Sequence, residues 1–324
     1  MRAVLCESFE GIGALRFAEA AEPRPADDEV MIDVHAASVS YMDYLMVCGG
    51  YQLRPALPYV PGTSAEVIVA VGRKVERFRR GDRVARANWS GGFAERMVAK
   101  TWKSARIPDN VGFVVGSIVL HAYLTAWYAL VERARLQPRE TALITGAAGG
   151  VGLACVEVAR LLGGRVIAVV GSASKTEVVR HSGGEHVIDY SHEDARERVK
   201  ALTGGEGVDI AVDNVGGTLF LTLARLIRWN GRLVPMGFAG GEIASLPLNL
   251  PLLKNYSIVG GLLLVHDLMV DNAREGPRFA AWYLLGSMLD DPSAVCLTPA
   301  YVERVLCYAG FRIEKTETML GSRC

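Results

Sequence analysis

The sequence lacks the features expected of a nucleic-acid-binding or membrane protein. Its 324 residues include 35 Lys and Arg against 35 Asp and Glu, so the formal net charge is zero, and no long basic run occurs. This balance argues against nucleic acid or anionic membrane surfaces as main partners. No uninterrupted apolar run approaches the roughly 18 residues of a membrane helix, and the opening "MRAVLCESF" lacks a signal-peptide core. We therefore expect a cytoplasmic protein that does not span a membrane.

Cysteine and histidine are few and scattered. The six cysteines, at positions 6, 48, 155, 296, 307 and 324, include no Cys-x-x-Cys pair, which favours a reduced compartment over a disulfide framework. The six histidines form no cluster with the spacing of zinc ligands. We predict no metal site, although ligands distant in sequence can still converge in a fold.

Glycine, by contrast, is concentrated in one aliphatic stretch. The segment "LITGAAGGVGLACVEVARLLGGRVIAVVG", Leu143 to Gly171, contains seven glycines. Its flanks predict a buried strand over residues 141–145, a helix over residues 151–162 and a second strand over residues 165–170. A strand, glycine turn, helix and strand within about 30 residues is the unit that binds dinucleotides.

The turn itself fits the dinucleotide fingerprint with alanine in the first glycine position, as Ala147-x-Gly149-x-x-Gly152. Gly149 would admit a pyrophosphate to the backbone, and Gly152 would let the helix pack closely. Free N–H groups at the helix start, around Gly150 and Val151, would hold the phosphate charge. The alternative is an ordinary glycine-containing loop, because short motifs of this kind also occur by chance.

Further short aliphatic runs follow this unit, most of them separated by a plausible helix. They are "EHVIDY" (185–190), "GVDIAVDNVGG" (207–217), "GRLVPMGF" (231–238) and "YSIVGGLLLV" (256–265). Six strands alternating with helices predict a doubly wound parallel sheet, an α/β architecture whose ligands lie beyond the carboxyl ends of the strands. "DNVGG" and "GFAGG" fall at two such ends.

The end of the second strand favours NADPH over NADH. An NAD site usually places a carboxylate there, about 20 residues past the glycines, to bind the ribose 2′-hydroxyl. This chain has "GSASK", Gly171 to Lys175, with no carboxylate. Ser172, Ser174 and Lys175 suit a 2′-phosphate. The alternative is that Lys175 is one more solvated lysine.

The first 120 or so residues predict a different architecture. Four β-branched, alternating runs, at residues 29–39, 65–72, 82–87 and 93–99, are separated by turn residues such as "RPADD" and "FRRGD". This pattern predicts a small, mostly antiparallel β domain. The segment "GSIVLHAYLTAWYALVE", residues 116–132, then predicts a helical passage into the nucleotide-binding domain.

Taken together, these stretches resemble one family. "ASVSYMDYLMVCGGYQ", "LPYVPGTSAEV", "GGFAERMV", "LTAWYAL", "TALITGAAGGVG", "HVIDY", "DNVGG" and "GRLVPMGF" occur in the order found in zinc-free quinone oxidoreductases. These zeta-crystallin-like proteins are medium-chain dehydrogenases/reductases. Zinc-bearing relatives carry a cysteine near Ser40 and Gly-His-Glu where this chain has "PGTSAE".

The resemblance implies a GroES-like catalytic domain at residues 1–122 and a Rossmann domain at 123–265. Residues 266–324 would complete the catalytic domain, although the end "CYAGFRIEKTETMLGSRC" lacks the family's closing pattern. It also implies a homodimer joined through the last Rossmann strand. The expected activity is hydride transfer from NADPH to a small-molecule quinone, enone or enoyl thioester. The alternative is a non-enzymatic, crystallin-like relative that binds NADPH for sensing or structure.

The resemblance also assigns roles to individual residues. Tyr51 matches a proton-donating tyrosine, but it could instead only pack at the mouth of the cleft. Tyr41, Met42 and Asp43 match the family's loop beside the nicotinamide, in which Ser40 replaces the usual asparagine. Asp43 could equally fix that loop through local hydrogen bonds. Thr125 matches a threonine near the nicotinamide, the alternative being a helix threonine bonded to its own backbone. The other expected cofactor neighbours are Tyr41, Met42, Tyr190, Asn214, Gly237, Phe238, Leu263 and Leu264. For the two leucines the alternative, which the resemblance favours, is a place in the core and the dimer strand.

Overall fold

A computed structural model describes residues 1–51, 54–86 and 90–261 of the chain. Within this part, the chain divides into two units, the first ending at His121 and the second beginning at Ala122. Each unit has its own sheet and its own apolar core, and each is described separately. Leu263, Leu264 and the segment 266–324 lie outside the described residues.

The first unit is built from antiparallel strands. Strand β1 (Arg2–Cys6) pairs with β2 (Leu15–Glu19). A five-stranded sheet follows, made of β3 (Glu29–Ser38), β4 (Thr63–Val71), β5 (Arg83–Arg86), β6 (Arg96–Lys100) and β7 (Ser104–Arg106). Its strand order is β6-β3-β4-β5-β7, and every neighbouring pair is antiparallel. The antiparallel β architecture expected for this half is therefore confirmed.

The core of this sheet follows the two-residue alternation of its strands. Val30 and Ile32 on β3 are fully buried and pack with Ile68 of β4 and Val84 of β5. Because successive side chains of a strand point to opposite faces, these alternate positions form one apolar layer. Two register shifts interrupt the pairing of β3 with β4.

One buried ion pair breaks this apolar pattern. Glu66 on β4 and Arg86 on β5 both have side chains with 0% exposure, and Arg86 Nε donates to Glu66 Oε1 at 2.8 Å. The Ser64 hydroxyl donates to the same carboxylate. Burial raises the pKa of Glu66 above its usual range, although the guanidinium and the hydroxyl both act to lower it. Removing one partner of such a pair strongly destabilises the fold, because the other partner is left as an unpaired buried charge.

Two helices begin in the first unit. Helix α1 spans Tyr41–Val47, and α2 spans Phe113–Trp127 before continuing as a π-helical turn over Tyr128–Arg133. Together, residues 113–133 form 21 residues that are long and apolar enough to cross a membrane by length and composition alone. Buried helices of water-soluble proteins share this composition, so the finding is weak support for a membrane span.

The second unit is a parallel sheet with helices between its strands. The strands are β8 (Thr141–Thr145), β9 (Arg165–Val170), β10 (His186–Asp189), β11 (Val208–Asp213), β12 (Ile227–Pro235) and β13 (Ser257–Ile258). The helices are α3 (Gly150–Leu161), α4 (Thr176–His181), α5 (Ala195–Leu202), α6 (Gly217–Leu226) and α7 (Asn249–Lys254). The strand order is β10-β9-β8-β11-β12-β13, and all pairs are parallel. This is the doubly wound order of dinucleotide-binding folds, as the sequence predicted.

Burial on both faces explains why these strands form aliphatic runs rather than alternating ones. In β8 and β9, all residues except the first are buried. Helix α3 buries Ala154, Cys155 and Val158, which lie on one helical face. Its neighbour α2 contributes the Tyr123 hydroxyl, which donates to Glu157 of α3 at 2.5 Å. Helices on the sheet thus fix the strand ends from which the candidate site is built.

Candidate functional site

The carboxyl edge of the parallel sheet gathers most of the predicted cofactor residues. Because parallel strands end at the same edge, the segments that follow them lie along one line. β8 leads into the glycine turn, β9 into Gly171–Lys175 and β10 into Tyr190. β11 leads into Asn214, and β12 leads into Gly237 and Phe238. The order reverses between β8 and β11, where folds of this type open a crevice.

The glycine turn depends on its glycines for close backbone packing. Gly146 has a φ of +58°, in the left-handed region, and its carbonyl accepts the Gly149 N–H at 2.9 Å. A Cβ atom on Gly152 would lie only 2.1 Å from that same carbonyl oxygen. Ala147, in the first fingerprint position, is fully buried. The first turn of α3 therefore lies directly against the glycine turn, which only glycine at 152 permits.

The start of α3 is open and uncapped. Gly149 is the N-cap residue, and no described side chain hydrogen-bonds to the helix end. Gly149 and Gly150 are exposed, and a Cβ on Gly150 would meet nothing within 4 Å. The first backbone N–H groups of a helix, here those of Gly150, Val151 and Gly152, have no partner within the helix. The end is suited to bind an anion.

At the end of β9, a small polar cluster replaces the carboxylate of an NAD site. The hydroxyls of Ser172 and Ser174 lie 3.0 Å apart, and Lys175 is exposed with no carboxylate of the described chain paired to it. Tyr190 leans over Gly171, since a Cβ there would lie 3.1 Å from the Tyr190 hydroxyl. These five residues form a partly exposed surface with one positive charge.

The loops after β11 and β12 are joined to each other. Asn214 is half-buried, and its side-chain amide donates to the Thr145 carbonyl at 2.8 Å. Its own carbonyl accepts the Ala239 N–H at 3.2 Å. Phe238 is 41% exposed, and its ring lies 3.1 Å from where a Cβ on Gly216 would be. Gly237 is adjacent, so Asn214, Gly237 and Phe238 share one stretch of the edge.

The first unit holds a second group of predicted site residues on and after α1. Tyr41, Met42 and Asp43 were expected in a loop, but the structure places them in the first turn of α1. The reason is a capping box: Asp43 Oδ2 accepts from the Ser40 N–H at 2.8 Å, and the Ser40 hydroxyl accepts from the Asp43 N–H. The loop expectation was therefore wrong, and Ser40 acts as the N-cap.

Asp43 is almost fully buried, and each of its carboxylate oxygens has a local donor. Oδ2 accepts from the Ser40 hydroxyl at 2.6 Å, and Oδ1 accepts from the Gly62 N–H at 3.2 Å. The carboxylate thus ties the start of α1 to the turn before β4. This arrangement fixes the position of Tyr41 and Met42 on the same helical turn.

Tyr51 lies in the small apolar cluster behind α1. It packs with Met42 against Cys6, Met46 and Tyr59, and burial raises the pKa of its phenol. A phenol in such surroundings remains protonated at neutral pH and can donate a hydrogen bond. Tyr51 and Met42 thus pack against the same buried cluster.

Tyr41 and Thr125 occupy different settings. The Tyr41 side chain is 48% exposed and stacks on Tyr44, with ring centroids 5.8 Å apart. Thr125 is half-buried on α2. No group of three or more His, Cys, Asp or Glu side chains able to hold a metal occurs in the described parts of the chain.

Two family models match the chain, "Alcohol dehydrogenase GroES-like domain" over residues 26–126 and "Zinc-binding dehydrogenase" over residues 150–270. Quinone oxidoreductase-like protein 2 of Rattus norvegicus is 40% identical over 241 residues, which cover 74% of this chain and 69% of that protein. The chain belongs to the quinone oxidoreductase family.

Other quinone oxidoreductases are similar over comparable lengths. The Homo sapiens quinone oxidoreductase is 32% identical over 243 residues, or 74% of each chain. The crystal structure of the Escherichia coli quinone oxidoreductase complexed with NADPH superposes with a TM-score of 0.74, at 28% identity and 80% coverage of both chains. The predicted combination of a GroES-like and a Rossmann domain is confirmed, and the family is one of oxidoreductases.

Sequence reasoning did not single out Thr145 and Asp213. Both are fully buried polar residues at the last positions of β8 and β11, where the Thr145 hydroxyl donates to Asp213 at 2.6 Å. A usable signal was present, because each is a polar residue that ends an aliphatic run. Their pairing across 68 positions required the strand order.

Proposed function

We propose that this quinone oxidoreductase family member uses NADPH, without zinc, to reduce a quinone or an activated alkene such as an enone or enoyl thioester. Family membership supports the reaction class, and a relative solved with NADPH supports the cofactor. The observation that carries NADPH over NADH is the end of β9, where Ser172, Ser174 and Lys175 stand in place of a carboxylate.

The residues present fit such a cofactor. The uncapped start of α3, open at Gly149 and Gly150, would bind the pyrophosphate, and Gly152 lets the turn and helix approach each other closely. Lys175 would pair with the 2′-phosphate as a point charge, and Tyr190 would bound that subsite. When bound, NADPH supplies a hydride from its nicotinamide ring. Asn214, Gly237 and Phe238 would line the remaining edge.

In the first unit, Tyr51 would serve the substrate. Its phenol is kept protonated by burial, so it can donate to the oxygen of an enolate as negative charge develops there. Asp43 would act indirectly, because its two oxygens already accept from Ser40 and Gly62 and so hold the start of α1. Tyr41, Met42 and Thr125 would bound the nicotinamide side.

We also propose a homodimer joined through β13. In the described sheet, β13 is an edge strand paired with β12, and Ile258 is 44% exposed. An edge of this kind offers backbone groups to a second strand. Sedimentation velocity at micromolar concentration should give twice the 35.0 kDa chain mass, and a monomer would refute the proposal.

Turnover tests the function as a whole. Loss of NADPH absorbance should depend on the acceptor when quinones, enones and enoyl thioesters are compared at equal concentration. NADPH binding without turnover on any acceptor would instead favour the non-enzymatic alternative. Failure to bind either NADPH or NADH would refute the cofactor assignment.

Lys175→Ala tests the choice of cofactor. The lost charge would face only the 2′-phosphate, so NADPH should bind more weakly while NADH is unaffected. The expected loss is about 1–3 kcal/mol, nearer the lower value because an exposed lysine is screened by solvent. Lys200→Ala, which removes a partly exposed lysine of α5 paired with Glu197, is the matched control. Equal weakening of both cofactors would refute the NADPH assignment.

A further inference from the structure

A buried carboxylate lies beneath the candidate cofactor edge. The Asp213 side chain has 0% exposure, so it cannot itself touch a ligand on the surface. Oδ1 accepts from the Thr145 hydroxyl at 2.6 Å and from the Val215 N–H at 3.2 Å. Oδ2 accepts from the Gly216 N–H at 2.9 Å. Burial raises the pKa of Asp213, and these three donors act to lower it.

Thr145 extends this network to the next residue. Its hydroxyl accepts the Asn214 backbone N–H at 3.0 Å while donating to Asp213, and its carbonyl accepts the Asn214 side-chain amide at 2.8 Å. Thr145 ends β8 and Asp213 ends β11. These are the two central strands between which the strand order reverses. The network therefore ties together the two sides of the crevice.

Three loops meet on this network. A Cβ on Gly146 would lie 3.3 Å from Val215 Cγ2 and 3.4 Å from Asn214 Cβ, so the glycine turn packs directly on the loop after β11. On the other side, the Met236 N–H donates to the Asp213 carbonyl at 2.7 Å. The loop after β12 is thus held by the main chain of the same residue, independently of its carboxylate.

From these contacts we infer that Asp213 is a positioning residue for the nicotinamide cofactor: its carboxylate, bonded to the Thr145 hydroxyl and to the Val215 and Gly216 N–H groups, holds the glycine turn and the loop after β11 in register. The inference rests on the proposed function, since it assumes that these loops hold the cofactor. Asp213 would make no direct contact with the cofactor, and its effect would pass through the backbone of Val215 and Gly216.

Replacing Asp213 by asparagine disturbs this arrangement specifically. One acceptor oxygen becomes an NH₂ donor, which must face either the Thr145 hydroxyl and Val215 N–H or the Gly216 N–H. A buried donor facing another donor loses its hydrogen bond and keeps its desolvation cost. The loop after β11 must then shift, and the glycine turn packed on it shifts as well.

The strands β8 and β11 also provide a matched control, at the amino-terminal ends of the two strands. Asp209 on β11 accepts from the Thr141 N–H, the first residue of β8, at 2.8 Å, and from Arg228 at 2.9 Å. Its side chain is 13% exposed. Asp209→Asn therefore removes a carboxylate that links the same two strands, but far from the carboxyl edge.

The test measures NADPH dissociation constants by nucleotide fluorescence, together with urea unfolding midpoints, in the full-length chain. Asp213→Asn and Thr145→Val should raise the dissociation constant at least tenfold, whereas Asp209→Asn should leave it within twofold despite lowering the unfolding midpoint. Thr145→Ser, which keeps the hydroxyl, should restore most of the affinity lost in Thr145→Val.

Three results would decide against this role. If Asp213→Asn does not fold, the Thr145 pair decides alone, and equal affinities for Thr145→Val and wild type would refute the inference. Equal effects of Asp213→Asn and Asp209→Asn on affinity would reduce Asp213 to a general stabilising residue. A wild-type chain that binds neither NADPH nor NADH would instead refute the proposed function on which the inference depends.

Discussion

Gly152→Ala should destabilise the second unit even without cofactor. In the structure, a Cβ at this position would lie 2.1 Å from the Gly146 carbonyl oxygen and 2.8 Å from the Ala147 Cα. These are backbone atoms and cannot rotate away. Helix α3 would have to move by about 1 Å or more to restore normal van der Waals distances.

The expected magnitude combines two opposing effects. Alanine is a better helix former than glycine by about 1 kcal/mol. Overpacking of a well-packed region costs about 1–3 kcal/mol, and rigid backbone contacts favour the upper value. The free energy of unfolding should therefore fall by about 2 kcal/mol.

Gly150→Ala is the matched control, because it lies in the same first turn of α3 with nothing within 4 Å of the added Cβ. It should be neutral or more stable by up to about 1 kcal/mol. Urea unfolding of both variants, followed by circular dichroism without cofactor, measures the difference. Equal midpoints for the two variants would refute the close approach of helix and turn.

Three further predictions concern the first unit and the reaction. Glu66→Gln should lower the free energy of unfolding by about 3–5 kcal/mol because it leaves the Arg86 charge buried and unpaired, whereas Glu95→Gln, in an exposed pair with Arg2, should have little effect in the same denaturation assay. Tyr51→Phe should lower kcat and kcat/KM together by about 10²-fold on an enone and much less on a quinone, and unchanged kcat on both acceptors would remove Tyr51 from the mechanism. Because burial raises the pKa of Tyr51, any loss of enone activity through its ionisation should occur at higher pH than for a free phenol. Dialysis against a strong chelator should leave turnover intact, and a loss restored by zinc would contradict zinc independence.

Local sequence patterns were sufficient where a whole element shows one periodicity. The strands at residues 141–145 and 165–170 match the predicted ranges, and α3 begins one residue before its predicted start. Continuous aliphatic runs separated by glycine turns leave little choice at these positions, because both faces of each strand must be covered.

Helix α1 shows where the reasoning failed. The resemblance suggested a loop at Tyr41–Asp43, although Ser40 and Asp43 have the spacing of a capping box. The cap was visible in the sequence but was not recognised, although the alternative that Asp43 forms local hydrogen bonds is what the structure shows. Local chemistry was the better guide there.

Pairings between distant residues could not be predicted. The contact between Thr145 and Asp213 depends on which strands are neighbours, and that between Glu66 and Arg86 depends on the register of β4 against β5. A strand pattern alone shows which face a residue occupies, but not which residue lies opposite it.

The boundary between the two units lies inside a helix rather than in a linker. It falls between His121 and Ala122, whereas α2 runs without a break from Phe113 to Trp127. A fragment that began at Ala122 would remove the first nine residues of α2 and leave twelve helical residues, 122–127 and the π-helical turn Tyr128–Arg133, at the lower limit of the roughly 12–15 residues that an isolated helix needs. Any attempt to produce the nucleotide-binding half separately should therefore begin before Phe113. Domain exchange with a relative should likewise place its junction outside α2, because a junction inside it would join two helices whose buried faces evolved against different neighbours.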